Sequence, residues 1–315
     1  MKDFAATLAQ RKKKDNNSRR TIFIISLMPF VLIMAVTLAL LLRSWPILEQ
    51  YSPWELLTST VWRPMQGQFG FLPFIAGTFW VTAVGVVLAV PPCILTAIYL
   101  SEYARSATRT ILKPLLDVLA AIPSVVYGVW GVLVIVPFVG DVLRPAFNAH
   151  LGWIPFFASN QPTGYSILSG GIVLAVMIAP FIIAVTYEVL KTAPQDWRLG
   201  SLSVGATRWQ TIRHIVFRQT CPGMIAAVVF ATSRAFGETM AVMMVVGNVP
   251  NLPTSIFDPA YPLPALIANN YGEMMSIPLY DAALLGAALI LLVMVLIFNI
   301  SSTLVLRRML RSNWL

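Results

Sequence analysis

Charged residues are scarce in this sequence. Asp, Glu, Lys and Arg together make up 11% of its 315 residues, whereas 57% are apolar. Several apolar runs reach 20 or more residues, the length that an α-helix needs to cross a bilayer. The composition therefore excludes an ordinary soluble domain and predicts an all-α integral membrane protein.

Several common kinds of site lack support. Of the two cysteines, Cys93 lies in an apolar run and Cys221 in a basic segment, so no disulfide framework is expected. His150 and His214 have no Cys or carboxylate at ligand spacing, so no metal site is expected. The sequence contains no G-x-x-x-x-G-K-[ST] motif and suggests no catalytic triad. We therefore expect neither an enzyme nor a chain that binds ATP itself.

Positive charge is unevenly distributed. The chain carries 22 Lys and Arg against 13 Asp and Glu, a net charge of +9 that in a soluble protein would suggest a nucleic-acid partner. Here 18 of the 22 fall in four segments between or beyond apolar runs: 1–20, 101–114, 191–222 and 307–315. The opposite side carries Arg63 and Arg144. The positive-inside rule then places both termini in the cytoplasm, and no nucleic-acid partner is expected.

The apolar runs divide the chain into six predicted transmembrane helices. These are 21–43, 72–100, 118–139, 167–190, 223–247 and 282–306. Residues 1–20 are predicted to be a disordered basic cytoplasmic tail, 44–71 a periplasmic loop with interfacial tryptophans, 72–306 the main transmembrane domain, and 307–315 a cytoplasmic tail. Pro91-Pro92 is expected to kink or unwind the second helix, and Ile122-Pro123-Ser124 interrupts the third.

The fifth apolar run, Gly223 to Gly247, contains two charges. As a continuous helix it would span about 37 Å, with Arg234 near the membrane midplane and Glu238 one turn later. A charge at the midplane costs at least about 2.5 kcal/mol, whereas an exposed i,i+4 ion pair returns only about 0.2 to 0.5 kcal/mol. Local pairing does not explain these residues, so they are predicted to face protein or a polar cavity.

The cytoplasmic segment 191–222 has the pattern of two short helices. Asp196 after Pro194 predicts the first turn of one, and Gly205 is placed to end it in the left-handed conformation. Thr207, with Gln210 three residues later, predicts a capping box for the second.

The second of these helices is amphipathic. Its apolar residues fall on one face: Ile212, Ile215 and Val216. Arg208 and Arg213 remain available to water or a partner. The segment is predicted to be either a basic hairpin resting on anionic lipid or a rigid docking surface for another protein, and the pattern alone does not separate the two.

The segment also resembles a family motif. Inner-membrane permeases of ATP-binding-cassette importers carry EAA, three residues, Gly, nine residues and Ile-x-Leu-Pro in this loop. With that Gly set on Gly205, the motif's Ile falls on Ile215, but its Glu falls on Leu199 and its Pro on Arg218. Residues 120–131, AAIPSVVYGVWG, and 234–242, RAFGETMAV, are more specifically similar to the PstC-type permeases of phosphate importers.

This resemblance implies a six-helix, MetI-like permease in the bacterial inner membrane. It would form a heterodimer with a second, related permease, lie in membrane lipid, and work with two cytoplasmic ATPase subunits and a periplasmic phosphate-binding protein. The cofactors, ATP and Mg, would sit on the ATPases and none on this chain. The coupling contact with an ATPase is expected at Arg198, Leu199, Gly205, Ala206, Thr207, Arg208 and Ile215.

The predicted substrate path contains Arg234, Glu238, Pro123 and Ser124. Guanidinium geometry matches phosphate oxygens, so Arg234 would contact the anion and Glu238 would balance it when no substrate is bound. The alternative is an interhelical salt bridge that fixes packing. Two other functions remain possible: a proton-coupled secondary anion transporter in which Glu238 titrates, and a scaffold or regulatory subunit that transports nothing.

Overall fold

The computed structural model describes residues 2–159, 161–272 and 278–312. Within this part of the chain the helices are numbered α1 (Lys2–Gln50), α2 (Pro53–Thr58), α3 (Leu72–Tyr103), α4 (Ser106–Ala121), α5 (Ser124–Leu151), α6 (Ile167–Lys191), α7 (Gln195–Ser203), α8 (Arg208–Phe236), α9 (Met240–Val245), α10 (Leu263–Asn270) and α11 (Pro278–Ser312). Six of the described helices are long and apolar enough to cross a membrane: α1, α3, α5, α6, α8 and α11. The predicted all-α fold with six transmembrane helices is confirmed.

Helix α6 forms the centre of the bundle. Its Leu174, Ile178 and Ile182 are fully buried, and it packs closely along α3. The close approach requires glycine, because a Cβ on Gly171 would lie 2.5 Å from Val84 Cγ1 and one on Gly85 would lie 2.9 Å from Leu174 Cδ2. This crossing of small residues holds the core of the membrane domain together.

The first helix is longer than predicted at both ends. The expected disordered tail is wrong for the described residues, because α1 is helical from Lys2. No proline occurs before Pro29, and Ala, Leu, Gln and Lys before it have high helix propensity, so the membrane helix continues outward. At its other end α1 includes residues 44–50, which the sequence pattern places in the loop, and Ser44 and Ile47 are buried there.

Prolines act differently in different helices. Pro91 and Pro92 lie inside α3, which remains helical through them, so the expected local unwinding is absent in this described helix. The interruption at Pro123 is confirmed, since α4 ends before it and α5 begins after it. The third membrane helix therefore starts at Ser124, and residues 118–121 belong to the preceding amphipathic helix α4.

A second, aromatic core closes the end of the bundle opposite α7. Trp62 packs edge-to-face on Phe74 with ring centroids 4.8 Å apart and also contacts Phe69 and Tyr280. Trp62 is half-buried in this core, and its role as an interfacial anchor stays a prediction. Trp54, which is 74% exposed, remains available for that role.

Candidate functional site

The charged fifth run is broken into two helices. Helix α8 ends at Phe236 and α9 begins at Met240, so the predicted continuous helix from Gly223 to Gly247 is wrong. Polar groups in the break provide alternative hydrogen bonds: Thr239 Oγ1 donates to the Gly237 carbonyl at 3.2 Å, and Glu238 Oε1 accepts from the Ala241 amide at 3.3 Å. Glu238 therefore caps the first turn of α9.

Arg234 lies in the last turn of α8 and is exposed on the surface of this chain. Within the described residues it forms no salt bridge, so the alternative of an interhelical ion pair is not realised in this part of the chain. Its neighbour Ser233 instead links α8 to the last membrane helix, donating to Asn299 Oδ1 at 2.7 Å. A guanidinium on a membrane-length helix is thus left facing outward from the subunit.

The second predicted path segment is the break at Pro123. Pro123 is extended, with φ −58° and ψ 140°, and Ile122 before it is extended as well, as expected for a residue that precedes proline. Tyr127 Oη donates to the Leu119 carbonyl at 2.8 Å and ties the end of α4 to the start of α5. Pro123 is exposed, and Ser124 at the first position of α5 is half-buried.

Helix α5, which follows the break at Pro123, packs against α9, which follows the break after Phe236. A Cβ on Gly128 of α5 would lie 2.6 Å from Met244 Sδ and 3.2 Å from Ala241 Cα, so α9 packs directly on the second turn of α5. Gly131, one turn later, makes the same close approach to Val245. The starts of α5 and α9 therefore lie side by side. Arg234 is in the last turn of α8, just before α9.

Helix α9 is followed by a turn with two left-handed residues, a conformation that favours Gly and Asn. Gly247 has φ +95° and Asn248 has φ +53°, and Asn248 Nδ2 donates to the Met243 carbonyl at 2.8 Å. Beside this turn is a cleft of about 320 Å³ that Thr163 and Tyr165 also line. A partly polar cleft therefore lies at the end of α9 that is farther from the break.

The hairpin formed by residues 191–222 matches several local predictions. Helix α7 begins after Pro194 and ends at Ser203, and Gly205, two residues later, has φ +87° as predicted for the residue that terminates it. The Gly205 amide donates to the Leu202 carbonyl, and the Ala206 amide donates to the Ser201 carbonyl. These are the two hydrogen bonds of a Schellman motif.

Both bonds of the predicted capping box are present. The Thr207 amide donates to Gln210 Oε1 at 2.8 Å, and the Gln210 amide donates to Thr207 Oγ1 at 3.3 Å. The capped segment differs from the prediction in one respect: it is not a separate short helix but the start of α8, which runs on from Arg208 into the membrane region. A displacement of the hairpin would therefore move α8, the helix that carries Arg234 in its last turn.

The residues expected to contact an ATPase have different exposures. Leu199 is 62% exposed, and Thr207, Arg208 and Gly205 are exposed. Ala206 and Ile215 are half-buried, the latter beside buried Ile212 and Val216 in the amphipathic face. The structure places these residues together on one hairpin, and their role in a contact stays a prediction.

Arg198 has a different environment from the other hairpin residues. Its Nη2 lies 3.0 Å from Glu102 Oε1 at the end of α3, and it donates to the Leu190 carbonyl at 2.8 Å. Ser101 Oγ also donates to Glu102, and Arg109 from α4 donates to the Ser101 carbonyl at 2.7 Å. Sequence reasoning missed this network because its members come from four helices. It fixes α7 to the end of the membrane bundle.

Comparison with known proteins identifies the family. The family described as "Binding-protein-dependent transport system inner membrane component" matches residues 93–311. The chain belongs to this family. It is 33% identical over 294 residues to the phosphate transport system permease protein PstC of Haemophilus influenzae, covering 92% of each chain. It is 39% identical over 249 residues to the probable ABC transporter permease protein YqgH of Bacillus subtilis, covering 78% of this chain and 75% of the relative.

Solved structures support the fold. An inward-facing crystal form of the MetNI methionine ABC transporter contains a chain that matches with a TM-score of 0.51 and 18% identity, over 79% of this chain and 99% of that one. The chain is therefore a multi-pass membrane protein with the MetI-like permease fold.

Proposed function

We propose that the chain is the permease subunit of an ATP-driven importer that moves inorganic phosphate from the periplasm to the cytoplasm. The observation that carries the proposal is Arg234, a guanidinium without an ion pair in the described residues, at a helix break in a membrane-length helix. Ionisable residues within membrane helices are rare and commonly mark substrate pathways. The substrate class comes from the similarity to permeases named for phosphate transport.

The outward-facing position of Arg234 favours a second permease as the missing wall of the path. An isolated charge at this depth is costly in lipid, and a polar interface between two subunits would remove that cost. We infer a related partner permease, and the hairpin of residues 191–222 would receive two cytoplasmic ATPases that carry ATP and Mg. A periplasmic phosphate-binding protein would deliver the substrate to the opposite end.

The roles of the path residues follow from their positions. Arg234 would offer a planar, two-pronged donor to phosphate oxygens. Glu238 would hold the start of α9 and supply the negative charge that balances Arg234 between transport cycles, while Ser124 and the break at Pro123 would line the path from α5. Because α8 starts in the hairpin and carries Arg234 in its last turn, movement of the hairpin would change access to the site.

The orientation is part of the proposal. The four Lys- and Arg-rich segments are the hairpin, the two ends of the sequence and residues 101–114, which cover the end of α3 and the first half of α4. The positive-inside rule would place them in the cytoplasm of a bacterial cell, with the chain in the inner membrane.

Substitution of Arg234 tests the proposal. The chain would be purified with the subunits that accompany it and placed in liposomes containing ATP, and uptake of radioactive phosphate would be measured. Arg234→Gln should abolish uptake, and Arg234→Lys should restore only part of it because lysine lacks the two-pronged geometry. Arg63→Gln, which removes an exposed charge elsewhere, is the control. Normal uptake by an intact Arg234→Gln complex would exclude the substrate role.

The same assay separates the rival functions. Uptake by the chain alone that ignores ATP and stops when the proton gradient collapses would indicate a secondary transporter. Full transport by a complex without this chain would indicate a scaffold.

A further inference from the structure

A cleft outside the proposed path lies between α4 and the last two turns of α6. It has a volume of about 320 Å³, and its apolar lining includes Leu100, Leu116, Ala184 and Val185. Charged side chains surround it on both helices: Arg109, Lys113, Asp117 and Glu188. An apolar interior with a charged rim matches the two chemical parts of a phospholipid.

The rim has more cationic than anionic groups. Lys191 lies over the Tyr187 ring with Nζ 4.4 Å from its centroid, and Lys113 Nζ lies 5.9 Å from the same centroid. Arg109 contributes a third cation, whose buried Nε has no acceptor among the described residues. The lining itself contains two cations, Arg109 and Lys113, and two anions, Asp117 and Glu188, so the excess of one cation is due to Lys191 beside Tyr187.

The existing ion pair on the rim is weak enough to exchange. Lys113 Nζ lies 2.7 Å from Glu188 Oε1, with the two side chains 59% and 55% exposed. Exposed pairs of this kind contribute about 0–1 kcal/mol. The hydrogen bond with Glu188 raises the pKa of Lys113 above its usual value, so this lysine is cationic at neutral pH.

With the orientation proposed above, on which this step rests, the cleft would lie at the depth of the lipid headgroups. It occupies the end of α6 that leads into the hairpin, which is the most positively charged end of the molecule. In a bilayer, the leaflet on the positively charged side is the one that carries anionic lipids, and basic pockets between membrane helices bind their headgroups.

We propose that this cleft binds one anionic phospholipid, with an acyl chain against Leu116, Ala184 and Val185 and its phosphate at Lys113, Lys191 and Arg109. The site is separate from Arg234 and does not depend on which solute the chain transports. A free phosphate ion would satisfy the cations but leave the apolar lining exposed, so the lipid is the occupant that fits both parts.

Native mass spectrometry of the complete detergent-purified complex tests the proposal. The complex would be exchanged with phosphatidylglycerol or phosphatidylcholine, and bound lipid would be counted at increasing collision energy. We expect one phosphatidylglycerol to be retained in preference to phosphatidylcholine. Lys113→Gln and Lys191→Gln should each weaken its retention about fivefold, the effect of removing about 1 kcal/mol per cation. Glu188→Gln should strengthen retention, because it removes a competing carboxylate.

Two further variants separate a specific site from general charge. Arg105→Gln removes a cation from the exposed start of the same helix without touching the cleft and should leave retention unchanged. Ala184→Phe should displace the lipid with every charge intact, and millimolar inorganic phosphate should not compete. Equal retention of both lipids, or an effect of Arg105→Gln as large as that of Lys191→Gln, would overturn the proposal. The lysine side chains are at the surface, so this test does not depend on whether Ala184→Phe folds.

Discussion

Arg198 of the hairpin and Glu102 at the end of α3 form a salt bridge of 3.0 Å, with side chains only 21% and 12% exposed. The residues lie far apart in the sequence, and the bond joins the predicted docking helix α7 to the membrane bundle. Because Arg198 also donates to the last turn of α6, one side chain couples three helices. A movement of α7 would therefore be passed to α3 and α6 as well as to α8.

Removal of either partner should loosen the hairpin. Arg198→Gln and Glu102→Gln are each expected to lower the free energy of unfolding by about 1–3 kcal/mol, since each leaves a mostly buried charge without its partner. Thermal unfolding of the purified chain measures this, and the double variant should cost less than the two single changes together. Lys113→Gln, which breaks an exposed salt bridge, should cost under about 1 kcal/mol. Strictly additive costs at positions 102 and 198 would contradict the coupling.

Two glycines of the hairpin offer a matched comparison. A Cβ on Gly200 or on Gly205 would meet nothing within 4 Å, but only Gly205 has a positive φ, +87°. Gly205→Ala should therefore destabilise the hairpin by about 1–2 kcal/mol through its backbone alone. Gly200→Ala, inside α7, should stabilise it by about 0.5–1 kcal/mol. Hydrogen exchange of the α7 amides measures both changes, and the same sign for the two variants would refute the argument.

The crossing of α3 and α6 should be sensitive at Gly171. Gly171→Ala places a methyl group 2.5 Å from Val84 Cγ1 and should cost about 1–3 kcal/mol. Gly170→Ala is the control, because its nearest neighbour would be 3.3 Å away. Val84→Ala should recover part of the loss when combined with Gly171→Ala. Thermal unfolding in detergent distinguishes the variants, and no recovery would indicate that the clash lies elsewhere.

Glu238 can be tested as a helix cap. Glu238→Gln retains an oxygen that can accept from the Ala241 amide, whereas Glu238→Ala does not. The glutamine variant should therefore keep the start of α9 ordered and transport better than the alanine variant. Phosphate uptake and hydrogen exchange at residues 240–242 measure the two effects. Equal loss of uptake with intact exchange protection would show that the carboxylate charge, and not the cap, is required.

Local features of the hairpin were predictable from sequence. Gly205 ends α7 through its own left-handed backbone, and Thr207 and Gln210 form hydrogen bonds across three residues. These features depend on the local sequence and little on distant parts of the chain. The continuation of the capped segment into α8 was missed, since nothing in the sequence between Thr211 and Cys221 marks whether a short helix ends. The break after Phe236 was missed for a related reason. Apolar residues flank it on both sides, and the packing of α9 on Gly128 comes from a distant part of the chain.

The sequence by itself determined the number of membrane helices, the positions of several helix ends and the presence of a charge, Arg234, whose burial in lipid would cost free energy. Run length and short-range hydrogen bonding decide these features. The tertiary structure alone decided which apolar helices form the core. Residues 22–42 of α1 are as apolar as α6 yet mostly exposed, whereas Leu174, Ile178 and Ile182 of α6 are buried. Lipid and the protein interior are both apolar, so hydrophobicity does not show whether a helix faces lipid or the core. The close packing of helices at glycine positions does show it.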